Sequence, residues 1–319
     1  MARFLAGLAC AAMLFCPAVQ AQNAPLPDLV APPVVVPTGP PVDARVTIPV
    51  AIGGKGPWNF IVDTGAQRTV IARDLAQQLA LPAGVPVTII SMTGRSDTVT
   101  VALPRLSFGA DGIENIEAPV LESRDIGAPG LLGLDGLHEK RLLLDFRAGR
   151  MEISDSRLRV TSDPDTIIVQ ARRRKGQLIL LNSQVNGIDV NIMLDTGTNI
   201  SVGNLALMRM LQARGLLPGV EPGRLTSVTG GSLEGPTGII AALRLGPVTL
   251  KGVPVLFADV SPFDHLRLKQ RPALLLGIDA LRLFDRVAID FGRGRVDFLL
   301  PDSGALDPLH FAEARPAKG

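Results

Sequence analysis

Phe60-Ile61-Val62-Asp63-Thr64-Gly65-Ala66 and Ile192-Met193-Leu194-Asp195-Thr196-Gly197-Thr198 are two versions of one sentence. Each is an apolar run of strand character that delivers Asp-Thr-Gly into a turn, and each is followed by a second apolar patch, Val70-Ile71 or Ile200-Ser201-Val202. One such tripeptide is an ordinary turn composition. Two in matching settings point to a pair of carboxylates meant to meet, because carboxyls in contact cannot both ionise and so share a proton.

The surroundings repeat in the same order. Gln177 to Val185, a turn at Asn186-Gly187 and Val190 to Leu194 lead into the second tripeptide as Arg45 to Ile52, the turn Gly53 to Gly56 and Trp58 to Val62 lead into the first. Ser91-Met92-Thr93-Gly94-Arg95-Ser96 is matched by Ser227-Val228-Thr229-Gly230-Gly231-Ser232, and Leu131-Leu132-Gly133-Leu134-Asp135 by Leu275-Leu276-Gly277-Ile278-Asp279. Leu144-Asp145-Phe146 returns as Ile289-Asp290-Phe291. Ordered landmarks of this kind indicate an internal duplication.

Short β-like runs between Gly, Asn, Asp and Pro turns predict an all-β chain with a few short helices. Further strands are expected at Val85 to Ser91, Thr98 to Ala102 and Leu142 to Asp145, and a helix at Ile71 to Leu81. The expected division is 1–21 signal peptide, 22–42 Pro-rich linker or propeptide, 43–160 first lobe, 161–302 second lobe and 303–319 flexible tail.

Met1-Ala2-Arg3, the apolar run Phe4 to Val19 and then Gln20-Ala21 read as an export signal cleaved after Ala21. A membrane anchor is the alternative, disfavoured by the short run and by Pro17. Both cysteines, Cys10 and Cys16, fall inside this segment; Cys10 suits acylation poorly, with Gly7 before it. Without the segment no disulfide, cysteine metal site or thiol nucleophile remains. An Arg-, Ala- and Gly-rich, Lys-poor composition suggests a bacterial protein, periplasmic or secreted.

Of 319 residues 46% are hydrophobic, enough for real cores, and after residue 21 there are 31 basic against 30 acidic residues. That balance gives no argument for nucleic acid or for stable attachment to an anionic membrane. The basic run Arg172-Arg173-Arg174-Lys175 reads as a solvated turn, with a processing site or an acidic-partner contact as alternatives. His138, His265 and His310 are too scattered for a metal motif, and no Gly-x-Ser-x-Gly elbow accompanies them.

Within the landmarks, Gly65 and Gly197 are needed where a side chain would strike the partner loop, and Thr64 and Thr196 can tie the loops together and set the spacing of Asp63 and Asp195. Asp135 and Asp279 read as helix N-caps. Thr93-Gly94 and Thr229-Gly230 fall in polar hairpins suited to closing over an extended substrate by strand addition.

On these motifs, over about residues 43 to 300, the chain resembles the retropepsin-like aspartic peptidases, here with two copies in one chain. The resemblance implies two β-barrel lobes related by pseudo-two-fold symmetry. It also implies a water held between catalytic Asp63 and Asp195, a polypeptide substrate, neither metal nor organic cofactor, and a monomer sufficient for activity. A non-catalytic peptide-binding module on a degenerate version of the fold is the alternative. The chain has no Tyr, so the flap tyrosine of pepsin-like relatives is absent. Ala66 follows the first tripeptide and Thr198 the second, and the Thr198 hydroxyl is expected to donate to Asp195, keeping it ionised and leaving the proton on Asp63.

Overall fold

The strand Lys55–Val62 begins exposed and ends with Phe60, Ile61 and Val62 fully buried, so its last residues have neighbours on both faces. In the computed structural model it lies between Thr47–Ile52, antiparallel, and Gly130–Leu132, parallel, with Leu131 opposite Ile61 and Leu132 opposite Val62. Gly130–Leu132 then pairs antiparallel with Val70–Ala72, which pairs in parallel with Ile116–Leu121. Continuous apolar triplets such as these are what a strand buried on both faces requires.

The second half repeats the arrangement. Asn191–Leu194 lies beside Gln177–Leu180 and runs parallel to Ala273–Leu276, with Leu194 opposite Leu276. Ser201–Gly203 follows antiparallel to Ala273–Leu276 and parallel to Val248–Phe257. The architecture is all-β, two-lobed and internally symmetric, with five short helices among the described residues.

The described residues are 34–38, 45–109, 111–137, 139–158 and 164–301, with the backbone of the strand Ala312–Ala314. The segment 1–21, most of 22–42, His138 and His310 lie outside them. Among them no helix is long and apolar enough to cross a membrane.

The halves are joined by a shared sheet. Lys140–Asp145 of the first pairs antiparallel with Arg286–Asp290 of the second, Leu143 facing Ala288 and Leu144 facing Val287. Arg150–Asp155 and Arg295–Leu299 flank this pair, and Val34–Pro37 and Thr166–Arg174 complete six strands. The two halves fall in one compact unit beginning at Ala31.

Three expectations are adjusted. Val34–Pro37, in the stretch read as linker, is a sheet strand paired with Arg150 to Ile153, and Val36 is buried. Ala312–Ala314, in the stretch read as flexible tail, pairs with Val248 to Leu250. Ile71 belongs to the strand Val70–Ala72 and the helix is confined to Arg73–Gln78. Strand pairing with Leu131 and Val120 prevails there over helical periodicity, in keeping with the β-branched Val70 and Ile71.

Candidate active site

Each Asp-Thr-Gly loop begins where the parallel strand pair of its half runs out. The Asp63 N–H donates to the Leu132 carbonyl at 3.0 Å, and the Asp195 N–H to the Leu276 carbonyl at 3.0 Å. Two residues on, the Leu134 N–H donates to Ala66 O at 2.9 Å and the Ile278 N–H to Thr198 O at 3.0 Å. Each loop is therefore clamped at entry and exit by the Leu-Leu-Gly element of its own half. A Cβ on Gly133 would meet the Arg68 carbonyl group at 2.5–2.6 Å, and one on Gly277 the Ile200 carbonyl group at 2.7–2.8 Å, so no larger residue fits.

Asp135 and Asp279 are not N-caps. Gly133 and Gly277 occupy the cap positions, with no side-chain cap bond. Asp135 instead accepts the Thr69 N–H at 2.8 Å and the Thr69 hydroxyl at 2.7 Å, and Asp279 accepts the Ser201 hydroxyl at 3.1 Å and its N–H at 3.3 Å. Those hydroxyl oxygens in turn accept the Gly133 N–H at 3.2 Å and the Gly277 N–H at 3.1 Å. Burial first of all raises the Asp279 carboxyl above its ordinary value.

Across the junction the threonines bond reciprocally. The Thr64 N–H donates to Thr196 Oγ1 at 3.0 Å and the Thr196 N–H to Thr64 Oγ1 at 3.1 Å. Thr196 Oγ1 donates on to Val62 O at 2.6 Å and Thr64 Oγ1 to Leu194 O at 3.2 Å. Both side chains are buried, so losing either bond strands polar groups away from water. The glycines complete the approach: a Cβ on Gly65 would meet the Asp195 carboxyl at 2.6–2.7 Å, and a Cβ on Gly197 would collide with that of Asp63.

Asp63 and Asp195 thus face each other across the junction, buried at 7% and 5% exposure. Their settings differ. Asp63 Oδ1 accepts the N–H of Gly65 at 2.8 Å and of Ala66 at 3.0 Å. Burial raises its pKa, while these donors and the charge of buried Arg45 oppose the rise. Asp195 is raised well above the carboxylate range, by burial first and by the Asp63 charge second, against the N–H groups of Gly197, at 3.0 Å from Oδ1, and Thr198. Both carboxyls are thus raised, and in contact they share a proton, with the Arg45 charge favouring the ionised form of Asp63.

The expected bond from the Thr198 hydroxyl to Asp195 is not made. The Thr198 hydroxyl donates to the Ile200 carbonyl at 3.1 Å, leaving only its backbone N–H to serve Asp195. Sequence reasoning also missed Arg45 and its counterpart Gln177, whose Nε2 donates to the Gly65 carbonyl at 2.9 Å. Arg45 Nη2 donates to Ile126 O at 3.0 Å. A signal was present: each lies equally far upstream of its aspartate.

The remaining candidates lie at hairpin tips. Met92-Thr93 joins Ala83–Ser91 to Gly94–Leu103, and Ser227 to Gly231 joins Glu221–Thr226 to Ser232–Leu245. The tips touch: Thr229 Oγ1 donates to Ser91 Oγ at 2.9 Å and lies 3.5 Å from Thr93 Oγ1. Gly94 and Gly230 have φ of 135° and 80°, a region that favours glycine. A Cβ on Gly230 would meet the Asp125 carboxyl at 2.7–2.8 Å, so the second tip rests against the first lobe.

Duplicated all-β halves that bring one buried carboxyl each to a common junction define an aspartic protease architecture. Comparison with known families agrees: the model described as aspartyl protease matches residues 48–135 and 181–280, more than half of the chain. The chain belongs to the aspartyl protease family. No curated protein matches it. Membership supports a general aspartic-protease function, a hydrolase acting on polypeptide.

Proposed function

We propose that the protein is an aspartic endopeptidase in which Asp63 and Asp195 divide the work of hydrolysis. Charged Asp63 takes a proton from a water held between the carboxyls. Protonated Asp195 donates to the carbonyl oxygen of the scissile bond, giving a tetrahedral diol. Collapse of the diol with proton transfer to the leaving nitrogen breaks the C–N bond. The observation that carries this reading is the meeting of two buried carboxyls, one from each half, with the buried charge of Arg45 on the Asp63 side.

The hairpins supply the complement. Their touching tips cover the approach in the closed form, and a peptide entering between them can pair with strand edges by main-chain hydrogen bonds. The non-catalytic alternative gains nothing from the site, since both carboxyls and both threonine bonds are in place.

The test is cleavage of a mixed peptide library between pH 3 and 8 by the wild type, Asp63→Asn and Asp195→Asn. Each single variant should lose at least about a thousandfold in kcat/KM, because base and acid act as one unit. Cleavage that survives in either variant would overturn the division of labour.

A further inference from the structure

Next to the first Asp-Thr-Gly loop, on the line between the lobes, lies an open cavity of about 360 Å3. Gln67 and Leu134 of the first half form one side, Arg173, Lys175 and Phe291 of the second the other. Two of the four residues of the basic run thus serve this cavity, while Arg172 turns to Asn191 Oδ1 at 2.8 Å.

Both cations are held in place by backbone carbonyls. Arg173 donates to Phe291 O, and Lys175 Nζ to His265 O at 2.9 Å. Among the described residues neither is ion-paired with a carboxylate. The one acid on the wall, Asp135, has both oxygens engaged by Thr69. The uncompensated charge is felt nearby: His265, whose Nε2 lies 3.3 Å from Gln67 Nε2, is pushed below its ordinary pKa by desolvation and then by Lys175. Gln67 Nε2 also donates to Lys175 O at 3.1 Å, stitching the cavity's two sides together.

The cavity is close to the chemistry. Ala66 donates its N–H to Asp63 Oδ1 and accepts from Leu134 N–H, and Gln67 is the next residue. Gln67 lies four residues past Asp63, and an extended peptide advances about 3.3–3.6 Å per residue, so a substrate side chain a few residues from the scissile bond spans a comparable length of chain. Fixed, unpaired cations beside an amide and the apolar faces of Leu134 and Phe291 suit a carboxylate on a short aliphatic stem.

We propose that this cavity is a specificity subsite that selects an acidic side chain, Glu above all, in the substrate peptide. The proposal rests on the peptidase reading above. A free small carboxylate would satisfy the same chemistry, and the experiment separates the two sources.

Peptides identical except for one Glu or Gln, moved from four residues before the cut bond to four after it, are compared by kcat/KM at low and high salt. At one position Glu should be favoured about five- to tenfold at low salt, as expected for a partly exposed carboxylate between two cations, and less at high salt. The preference should vanish in Arg173→Gln/Lys175→Gln and turn toward Lys in Arg173→Glu/Lys175→Glu, a reversal that a merely structural role would not produce. No preference at any position, or one unchanged in both variants, overturns the proposal.

If no peptide is cut, the peptidase reading fails separately. Tighter binding of the Glu peptide than the Gln peptide to the wild type, lost in the Gln double variant, then still supports the cavity, and equal binding overturns it. Citrate that raises Tm only when Arg173 and Lys175 are present, with no peptide preference, assigns the cavity to a free carboxylate and overturns the substrate assignment.

Discussion

Arg45 and Gln177 occupy the same position in the two repeats but differ in charge, and both serve the first loop. Arg45 brings a buried positive charge that opposes the rise of the Asp63 pKa. Gln177, uncharged, holds the first loop through Gly65 O. In the proposed mechanism Asp63 works as the ionised partner, so removing the charge should raise its pKa and protonate the base at a pH where the wild type still works. Arg45→Gln should therefore move the acid limb of the kcat/KM profile to higher pH, whereas Arg45→Lys should leave it near the wild-type position. A profile unmoved by Arg45→Gln would show that the Arg45 charge does not set the ionisation of Asp63.

The tripeptides were legible because their chemistry is contiguous: an acid, a hydroxyl and a residue without a side chain, written twice. Arg45 was not, since its relation to Asp63 runs through the fold and eighteen or so positions of strand and turn separate them in the chain. Asp135 was misread for a related reason. An acid ahead of apolar residues satisfies the pattern of a cap, but here Gly133 must hold the cap position because only glycine clears Arg68. Thr198 was misassigned because a hydroxyl three residues past Asp195 can turn either way, and Ile200 O accepts it.

At the scale of elements, the two hairpin tips meet through hydroxyls, while Met92 of the first also packs on the apolar cluster of the second half around Leu225 and Phe263. Ser91, Thr93, Ser227 and Thr229 form a small cluster, with Ser227 Oγ 3.2 Å and Ser91 Oγ 2.9 Å from Thr229 Oγ1. Such bonds exchange readily with water and each contributes about 0.5–1.5 kcal/mol, enough to bias closure without locking it. Thr229→Val removes the central donor. Amide hydrogen exchange at residues 91–94 and 227–231 should then quicken by up to about tenfold, with a higher KM for peptides. Unchanged exchange would show that Met92 packing and the approach of Gly230 to Asp125, not the hydroxyls, hold the tips. Sequence comparison had located both tips by their shared Thr-Gly, but not their mutual contact, which depends on two loops far apart in the chain.

For the molecule as a whole, the shared sheet makes Val34–Pro37 of the N-terminal Pro-rich stretch part of the structure. Thr38 donates its hydroxyl to Gly149 O at 2.7 Å, and Val36 is 1% exposed beside Met151 and Ile153. Prolines at the edge of a sheet cost no ladder bond when they face outward, which is why a Pro-rich composition concealed a strand here. Deleting residues 1–38 should lower stability by about 2 kcal/mol, or roughly 4–8 °C in Tm, because the apolar edge of Arg150–Asp155 is uncovered. A truncated chain that melts with the full one would return the stretch to the role of a dispensable mask.

The reciprocal threonine bonds have a consequence for how the halves can diverge. When two identical chains meet on a two-fold axis, every residue appears on both sides, and no change can be tried on one side alone. Fusion lifts that restriction except where the halves grip each other: Thr64 and Thr196 each complete the other's loop, so neither can drift without undoing its partner. One step beyond the tripeptides, Ala66 and Thr198 already differ, and farther out one copy carries Arg45 and the other Gln177. A single chain holding both copies can thus specialise one as base and the other as acid, a separation that twin subunits would have to renegotiate at every encounter.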